Sequence, residues 1–330
     1  MKEGSSPVKR AIARRLTDLS ALQRAAPEAA DGFKLRERTF STLSCADLPE
    51  ERTVVLEGKG CVLSIRYAVW TRPGMDPGGF EKDNQDSWLA DEFLGGSATA
   101  LFGVFDGHGL DGRKAQRYRE AVLAQFAECN RAILRSVAIN CSLSGSTVVT
   151  ALVQAGGRLL AANVGDSRAF LGRVDEAGKA AAVPLTWDHT PDVPAEAARI
   201  RAHQGRIEPF RVDGAPVGPL RVWAASSDTP GLSMTRAFGD AVAVSAGISS
   251  EPELQEVVLQ PADKYLLLAS DGIFEFMESA EIVQLVHEQA QQGLAPQDIA
   301  QALTAKAREQ WIEAEGDVVD DCTAIVAFLD

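Results

Sequence analysis

The sequence predicts an α+β fold organised on antiparallel sheet, and three observations carry that prediction. A run of short strands separated by glycine turns reads Val148 to Gln154, Arg158 to Val164 and Arg168 to Val174, broken by Ala155-Gly156-Gly157 and Gly165-Asp166-Ser167. Strands so close in sequence pair antiparallel, which disfavours a doubly wound βαβ nucleotide fold. Helical periodicity is instead gathered into blocks at about 111 to 136, 279 to 291 and 296 to 313. Finally, two apolar strands end in the same way. Leu101 to Phe105 stops at Asp106-Gly107-His108-Gly109, and Lys264 to Ala269 stops at Ser270-Asp271-Gly272.

The 330 residues are 45% hydrophobic and 24% charged, enough for one large domain with extensions or two of medium size. A net charge of −13 argues against binding to a phosphate backbone, since nucleic-acid binders concentrate Lys and Arg. The five cysteines (Cys45, Cys61, Cys129, Cys141, Cys322) are scattered and contain no C-x-x-C pair, so neither a zinc site nor a disulfide framework is indicated. No apolar run reaches the ~18 residues of a membrane span. With no secretory apolar core, and Lys2 where myristoylation requires glycine, a reducing cytoplasmic or nuclear setting is the expectation.

In chain order, residues 1–55 read as an extension. Lys2, Lys9, Arg10, Arg14 and Arg15 accompany Ile12 and Leu16 at helical spacing, a pattern typical of a solvated, frayed helix. The remainder, 56–330, reads as one folded domain. Cys61 to Trp70 alternates as a strand, and Arg72 to Gly79 is a loop by composition. That loop delivers the polar run Glu81 to Asp86. Ala115, Tyr118, Val122, Phe126 and Ile133 share one helical face after the central strand. From Leu185 to about Pro230 the chain is loop-rich, with a short helix near Ala195 to His203, and 189–235 reads as a flap insert. Ser279 is placed to cap one C-terminal helix, and Pro296 suits the first turn of the next.

The chemistry lies in the aspartates. Asp106, Asp271 and Asp320 each stand at a strand terminus, and Asp86 follows a loop. In one antiparallel stack, strand ends on the same edge meet, and clustered carboxylates raise one another's pKa. Two divalent ions about 3.5–4 Å apart resolve that repulsion and also activate water and clamp an oxyanion. Carboxylate and carbonyl oxygens suit Mg²⁺ and Mn²⁺.

Eight motifs in order then carry a specific resemblance. They are Asn84-Gln85-Asp86, Phe105 to Gly109, Ser144 to Thr147, Asn163 to Arg168, Asp188 to Pro191, Thr235 to Asp240, Ala269 to Gly272 and Asp320 to Thr323. Over about 60–330 the chain resembles the type-2C metal-dependent Ser/Thr protein phosphatases. The resemblance implies a central antiparallel β-sandwich flanked by helices in an α-β-β-α four-layer architecture. It also implies two Mg²⁺ or Mn²⁺ ions at one edge, phosphorylated protein substrates and a monomer. Asp106 then bridges both ions, with the Gly107 carbonyl on one of them; Asp86 lies at the family's acidic pair, where Gln85 replaces a frequent Glu. Asp271 and Asp320 bind the other ion, Asp166 holds a third, weaker one with Asp271, and Asp321 ranks below Asp320. His108 resembles the general acid that protonates the leaving alkoxide while hydroxide attacks phosphorus in line, with no covalent intermediate. Lys82 lies one position from the family's phosphate-orienting arginine.

Three features qualify this reading. Cys129 to Arg135 has the C-x₅-R spacing of cysteine-dependent phosphatases, but the intervening residues contain no glycine and read as helix. Only residues 110–143 separate Gly109 from Ser144, where the family usually places two long helices. That shortening and Gln85 motivate the alternative of a pseudophosphatase, a phosphoprotein-binding module without turnover.

Overall fold

The structure is a computed structural model that describes residues 51–58, 61–91, 99–108 and 126–330. The basic segment at the start of the chain, and most of the helical pattern at 111–136, lie outside the described residues. In chain order the first strands are β1 (Arg52–Gly58), β2 (Cys61–Arg72), β3 (Ser87–Asp91), β4 (Thr99–Phe105) and β5 (Gly107–His108). Helix α1 (Phe126–Arg135) leads to β6 (Gly145–Ser146), β7 (Val148–Gln154), β8 (Arg158–Val164), β9 (Arg168–Val174) and β10 (Ala180–Pro184). Helix α2 (Pro194–Ala202) precedes β11 (Arg206–Val212), β12 (Ala215–Trp223), β13 (Pro230–Leu232) and β14 (Phe238–Gly239). The chain ends with α3 (Ala241–Val244), β15 (Glu253–Val258), β16 (Asp263–Ala269), α4 (Asp271–Phe274), α5 (Ser279–Gln291), α6 (Pro296–Glu315) and β17 (Cys322–Leu329).

Two antiparallel sheets form a sandwich. One runs β1-β2-β17-β16-β9-β10 and the other β15-β8-β7-β4-β3. Their facing sides interdigitate through Ile65, Tyr67, Leu266, Leu268, Ile325 and Ala327 on the first sheet, and Phe102, Val104, Val149, Ala151 and Val153 on the second. Tyr67 meets Phe102 edge-on with ring centroids 4.9 Å apart. The alternate residues of the same strands face outward. Tyr265, Leu267, Val326 and Phe328 pack under α5 and α6 against Ile282, Val286, Ile299 and Leu303. Leu101 and Phe105 pack against Cys129 and Ile133 of α1. Because both faces are covered, every residue of β17 is buried and it reads as an unbroken apolar run.

Four expectations need correction. The core begins before residue 56, because Val54 and Leu56 of β1 are buried between the sheets. The insert is not loop-rich: β11, β12 and β13 form a three-stranded antiparallel sheet, bulged between Pro209 and Phe210. Ser279 does not cap α5; Glu278 holds the cap position and makes no side-chain bond there. Helix α6 continues to Glu315, two residues past the expected end. Among the described residues no helix is long and apolar enough to cross a membrane.

Candidate metal centre

Strand register brings the aspartates to one end of the sandwich. Ser87 pairs with Phe105, so Asp86 and Asp106 flank adjacent strand ends. Ala269 pairs with both Ala324 and Arg168, and Cys322 pairs with Arg72. Asp271, Asp320 and Asp321 therefore leave the six-stranded sheet at the end where Asp166 turns from β8 into β9. Five of the predicted ligands, Asp86, Asp106, Asp166, Asp271 and Asp320, thus share one edge, and Gly107 follows Asp106 into β5, where it pairs with Ser146. Thr147 fixes that corner, donating its N–H to the Asp106 carbonyl at 2.9 Å, while Asp106 donates its own N–H to Thr147 Oγ1 at 3.2 Å.

Their electrostatics are those of a crowded carboxylate cluster. Burial, then the Asp321 charge, push the Asp86 carboxyl up to about 7. Burial and the neighbouring Asp320 raise Asp271 to about 6. Asp106 stands well above the ordinary carboxylate range through burial and the charges of Asp271, Asp86 and Asp320. Asp166 does so through burial, Asp271 and Asp188. Ser270 relieves part of this by donating its hydroxyl to Asp86 Oδ2 at 2.7 Å.

Lys82 enters the same cluster, its Nζ 2.6 Å from Asp320 Oδ1 and 3.7 Å from Asp321 Oδ1. Burial works against its charge, but Asp320 and Asp321 outweigh burial and hold the ammonium above its ordinary pKa. Asp321 points inward. Its carboxylate accepts the Gly74 N–H at 2.5 Å and the Gln85 N–H at 2.8 Å, tying the approach loop to β17. Gln85 thus contributes its backbone to this corner.

His108 follows Gly107 in β5, and its Nε2 lies 2.8 Å from Oδ2 of Asp240, which is fully buried. Burial alone would lower the imidazole pKa, but Asp240, then Asp166 and Asp271, raise it. Asp240 closes the Thr235 to Asp240 motif, and its separation of 132 residues from His108 hides the pairing in the sequence. His189 supports the opposite corner, where Gly165 donates its N–H to Nδ1 at 3.1 Å and Nε2 lies 3.2 Å from Glu253. Arg221 of β12 is a second residue that sequence patterns did not single out. Its Nη1 donates to the Gly231 carbonyl at 2.8 Å, and its charge acts on Asp166 and Glu275.

The donor set fits hard divalent cations. Asp86 Oδ1, Asp166 Oδ1 and Asp271 Oδ1 are buried with no hydrogen-bond partner, and carboxylate oxygens are the ligands Mg²⁺ and Mn²⁺ prefer. Among the described residues no three side chains are already spaced as a closed cage. The carboxyls engage Lys82, Ser270 and one another, so binding would draw them off these partners. Cys129 offers no competing chemistry: it is buried in α1, and burial pushes its thiol up to about 12.

The comparisons agree with this architecture. The family model "Protein phosphatase 2C" matches residues 110–314, a span that contains Asp166, Asp240 and Asp271. A protein of Arabidopsis thaliana described as probable protein phosphatase 2C 72 is 34% identical over 277 residues, covering 74% of this chain and 81% of the relative. A rice relative, probable protein phosphatase 2C 64, is 34% identical over 274 residues, and there the match spans 62% of the relative's length. Among solved structures, serine-threonine phosphatase 2C from Toxoplasma gondii aligns with TM-score 0.66 at 22% identity, covering 85% of this chain and 99% of that one. The fold and the matched length together define the class: the chain belongs to the protein phosphatase 2C family.

Proposed function

We propose that this protein is a Ser/Thr phosphatase that hydrolyses phosphoserine and phosphothreonine in proteins, using a pair of Mg²⁺ or Mn²⁺ ions. The observation that carries the reading is the set of orphaned buried oxygens on Asp86, Asp166 and Asp271, crowded with Asp106 and Asp320 at one sheet edge. Asp86, Asp106, the Gly107 carbonyl, Asp271 and Asp320 would hold two ions, and Asp166 with Asp271 a weaker third. When bound, such ions supply an acidified water and neutralise the charge on a phosphoryl group.

The remaining work falls to the chain's own groups. Lys82 carries a full positive charge at the cluster edge and orients a phosphate dianion by attraction. As water bonds to phosphorus, the serine or threonine oxygen leaves with the bonding pair. His108 gives that oxygen a proton, so the products are an alcohol and inorganic phosphate. The sheet formed by β11, β12 and β13 stands beside this edge through Arg221 and is the element in which we place substrate choice.

The test is turnover of a phosphothreonine peptide by purified protein, expected with Mn²⁺ and lost with EDTA. Asp271→Asn should remove nearly all of it, and full retention would overturn the ligand assignment. The second reading, a binding module without turnover, rests on Gln85. It predicts tight phosphopeptide binding in Mn²⁺ with no phosphate released.

A further inference from the structure

We infer that Asp240 is a positioning residue for the proton donor: it fixes the His108 ring so that Nε2 is tied down and Nδ1 is left to face the leaving oxygen. The inference rests on the phosphatase reading above and assigns a role to a residue outside the ligand set. The geometry begins with a small sheet, β14-β6-β5, whose strands are two residues each. Its register sets Gly145 opposite both His108 and Gly239. Through that single glycine, residues 132 apart in sequence come within hydrogen-bond distance.

The surroundings accommodate the carboxylate at some expense. Asp240 is fully buried, its Oδ1 has no hydrogen-bond partner, and its backbone is left-handed at φ 46°, ψ 49°. A buried, half-satisfied carboxylate in a disfavoured backbone region destabilises a fold, and such strain concentrates at functional sites. Gly145 is required for it, because a Cβ there would overlap Asp240 Oδ2 and the Phe238 carbonyl. The loop is pinned from outside as well. Asn130 of α1 accepts the Gly239 N–H at 2.8 Å and donates to Ser250 at 2.9 Å, and Asp240 donates its own N–H to the Ser144 carbonyl at 2.9 Å. Among the described residues Nδ1 of His108 has no hydrogen-bond partner, and the side chain is 27% exposed. One ring nitrogen is locked and, among the described residues, the other is open, the arrangement by which a buried carboxylate orients an imidazole.

Leaving-group dependence separates this role from a structural one. An alkoxide leaving from phosphothreonine needs a proton; a p-nitrophenolate scarcely does. Asp240→Asn, assayed in Mn²⁺, should lower phosphothreonine-peptide kcat by about 100-fold and p-nitrophenyl phosphate kcat by less than about threefold. His108→Gln should show the same selectivity, and the double variant should be no worse than His108→Gln alone. Equal losses on both substrates, or additive losses in the double variant, overturn the proposal. Should Asp240→Asn not fold, wild-type protein labelled with ¹⁵N-histidine still decides. His108 is expected to carry a slowly exchanging Nε2 proton, and a freely exchanging one refutes the proposal. If wild-type protein hydrolyses neither substrate, the phosphatase reading fails instead.

Discussion

The carboxylate cluster should make the chelated protein lose stability as pH rises through the slightly acidic range. Asp86 and Asp271 have folded pKa values of about 7 and about 6 against an ordinary 3.8, so between about pH 4 and pH 7 the folded state holds more protons than the unfolded chain. Stability is then greatest at the acid end of that window and falls as pH climbs through the folded values. A carboxyl moved to about 7 disfavours the folded state by about 4 kcal/mol once ionised, and one moved to about 6 by about 3 kcal/mol. Because the two repel the same neighbours their effects overlap, and a combined loss on the order of 4–5 kcal/mol is expected by pH 8. His108, raised in the fold, acts in the same direction, while His189, lowered by burial and by Arg236, opposes it as one group against several. Nearly half of that loss falls between the unfolded value of 3.8 and pH 5, so about 3 kcal/mol remains between pH 5 and pH 8. At roughly 2–4 °C per kcal/mol for domains of this general size, Tm in EDTA should fall by roughly 6–12 °C over that interval. Saturating Mn²⁺ at about 100 times its Kd should restore about 2.7 kcal/mol, and more at pH 8 than at pH 5, because ligand oxygens must be deprotonated. Calorimetric scans at both pH values, with EDTA and with Mn²⁺, measure this. A Tm in EDTA that is flat or rises with pH, or a Mn²⁺ effect of equal size at both, would refute the reasoning.

The insert is held by a separate network, and Glu196→Gln should expose it. Glu196 is buried and accepts from Arg199, Arg236 and the Thr235 hydroxyl, the last at 2.6 Å. Both guanidiniums keep carbonyl acceptors at Gly247, Thr235 and Glu251, so the loss should be about 2–3 kcal/mol, below the usual 3–5 for a broken buried pair. A urea midpoint unchanged at constant slope would count against it. Cys129→Ala should leave phosphopeptide turnover within about twofold, whereas loss of a thiol nucleophile would abolish it.

Much of this architecture was written in local chemistry. The strands Val148–Gln154, Arg158–Val164 and Arg168–Val174 match the expected boundaries because Gly156, Gly157 and Gly165 adopt positive φ and fix each turn. The edge that gathers the aspartates was legible in part, since apolar strands stop at or just before Asp106 and Asp271, while Asp86 follows a loop into β3 and Asp320 stands ahead of β17. The insert was not. β11 and β12 carry Pro209, Pro216 and Pro219 and are mostly half-buried or exposed, so neither alternation nor an apolar run marks them as strands. Nor could Asp240 be paired with His108, because the contact is made by two-residue strands meeting across Gly145, a register that no periodicity encodes. Ser279 has the right residue type for a cap, yet the helix begins there with Glu278 in the cap position.

The position of the carboxylates explains why repulsion there persists. Asp106, Asp271 and Asp320 adjoin strands whose residues are buried on both faces, so the backbone cannot spread to separate the charges. Relief must come from what is small enough to enter: a proton, the Lys82 ammonium or a divalent cation. A proton removes ligand character, and among the described residues Lys82 forms ion pairs with Asp320 and Asp321 alone, leaving one buried oxygen each of Asp86, Asp166 and Asp271 without a hydrogen-bond partner. A divalent cation answers all of them without neutralising any donor. The stiffness that makes the cluster unfavourable when chelated is therefore the property that would fix its geometry once loaded. Glu196 ties α2 to Thr235 and Arg236 at the far end of the insert, a network separate from the carboxylate edge.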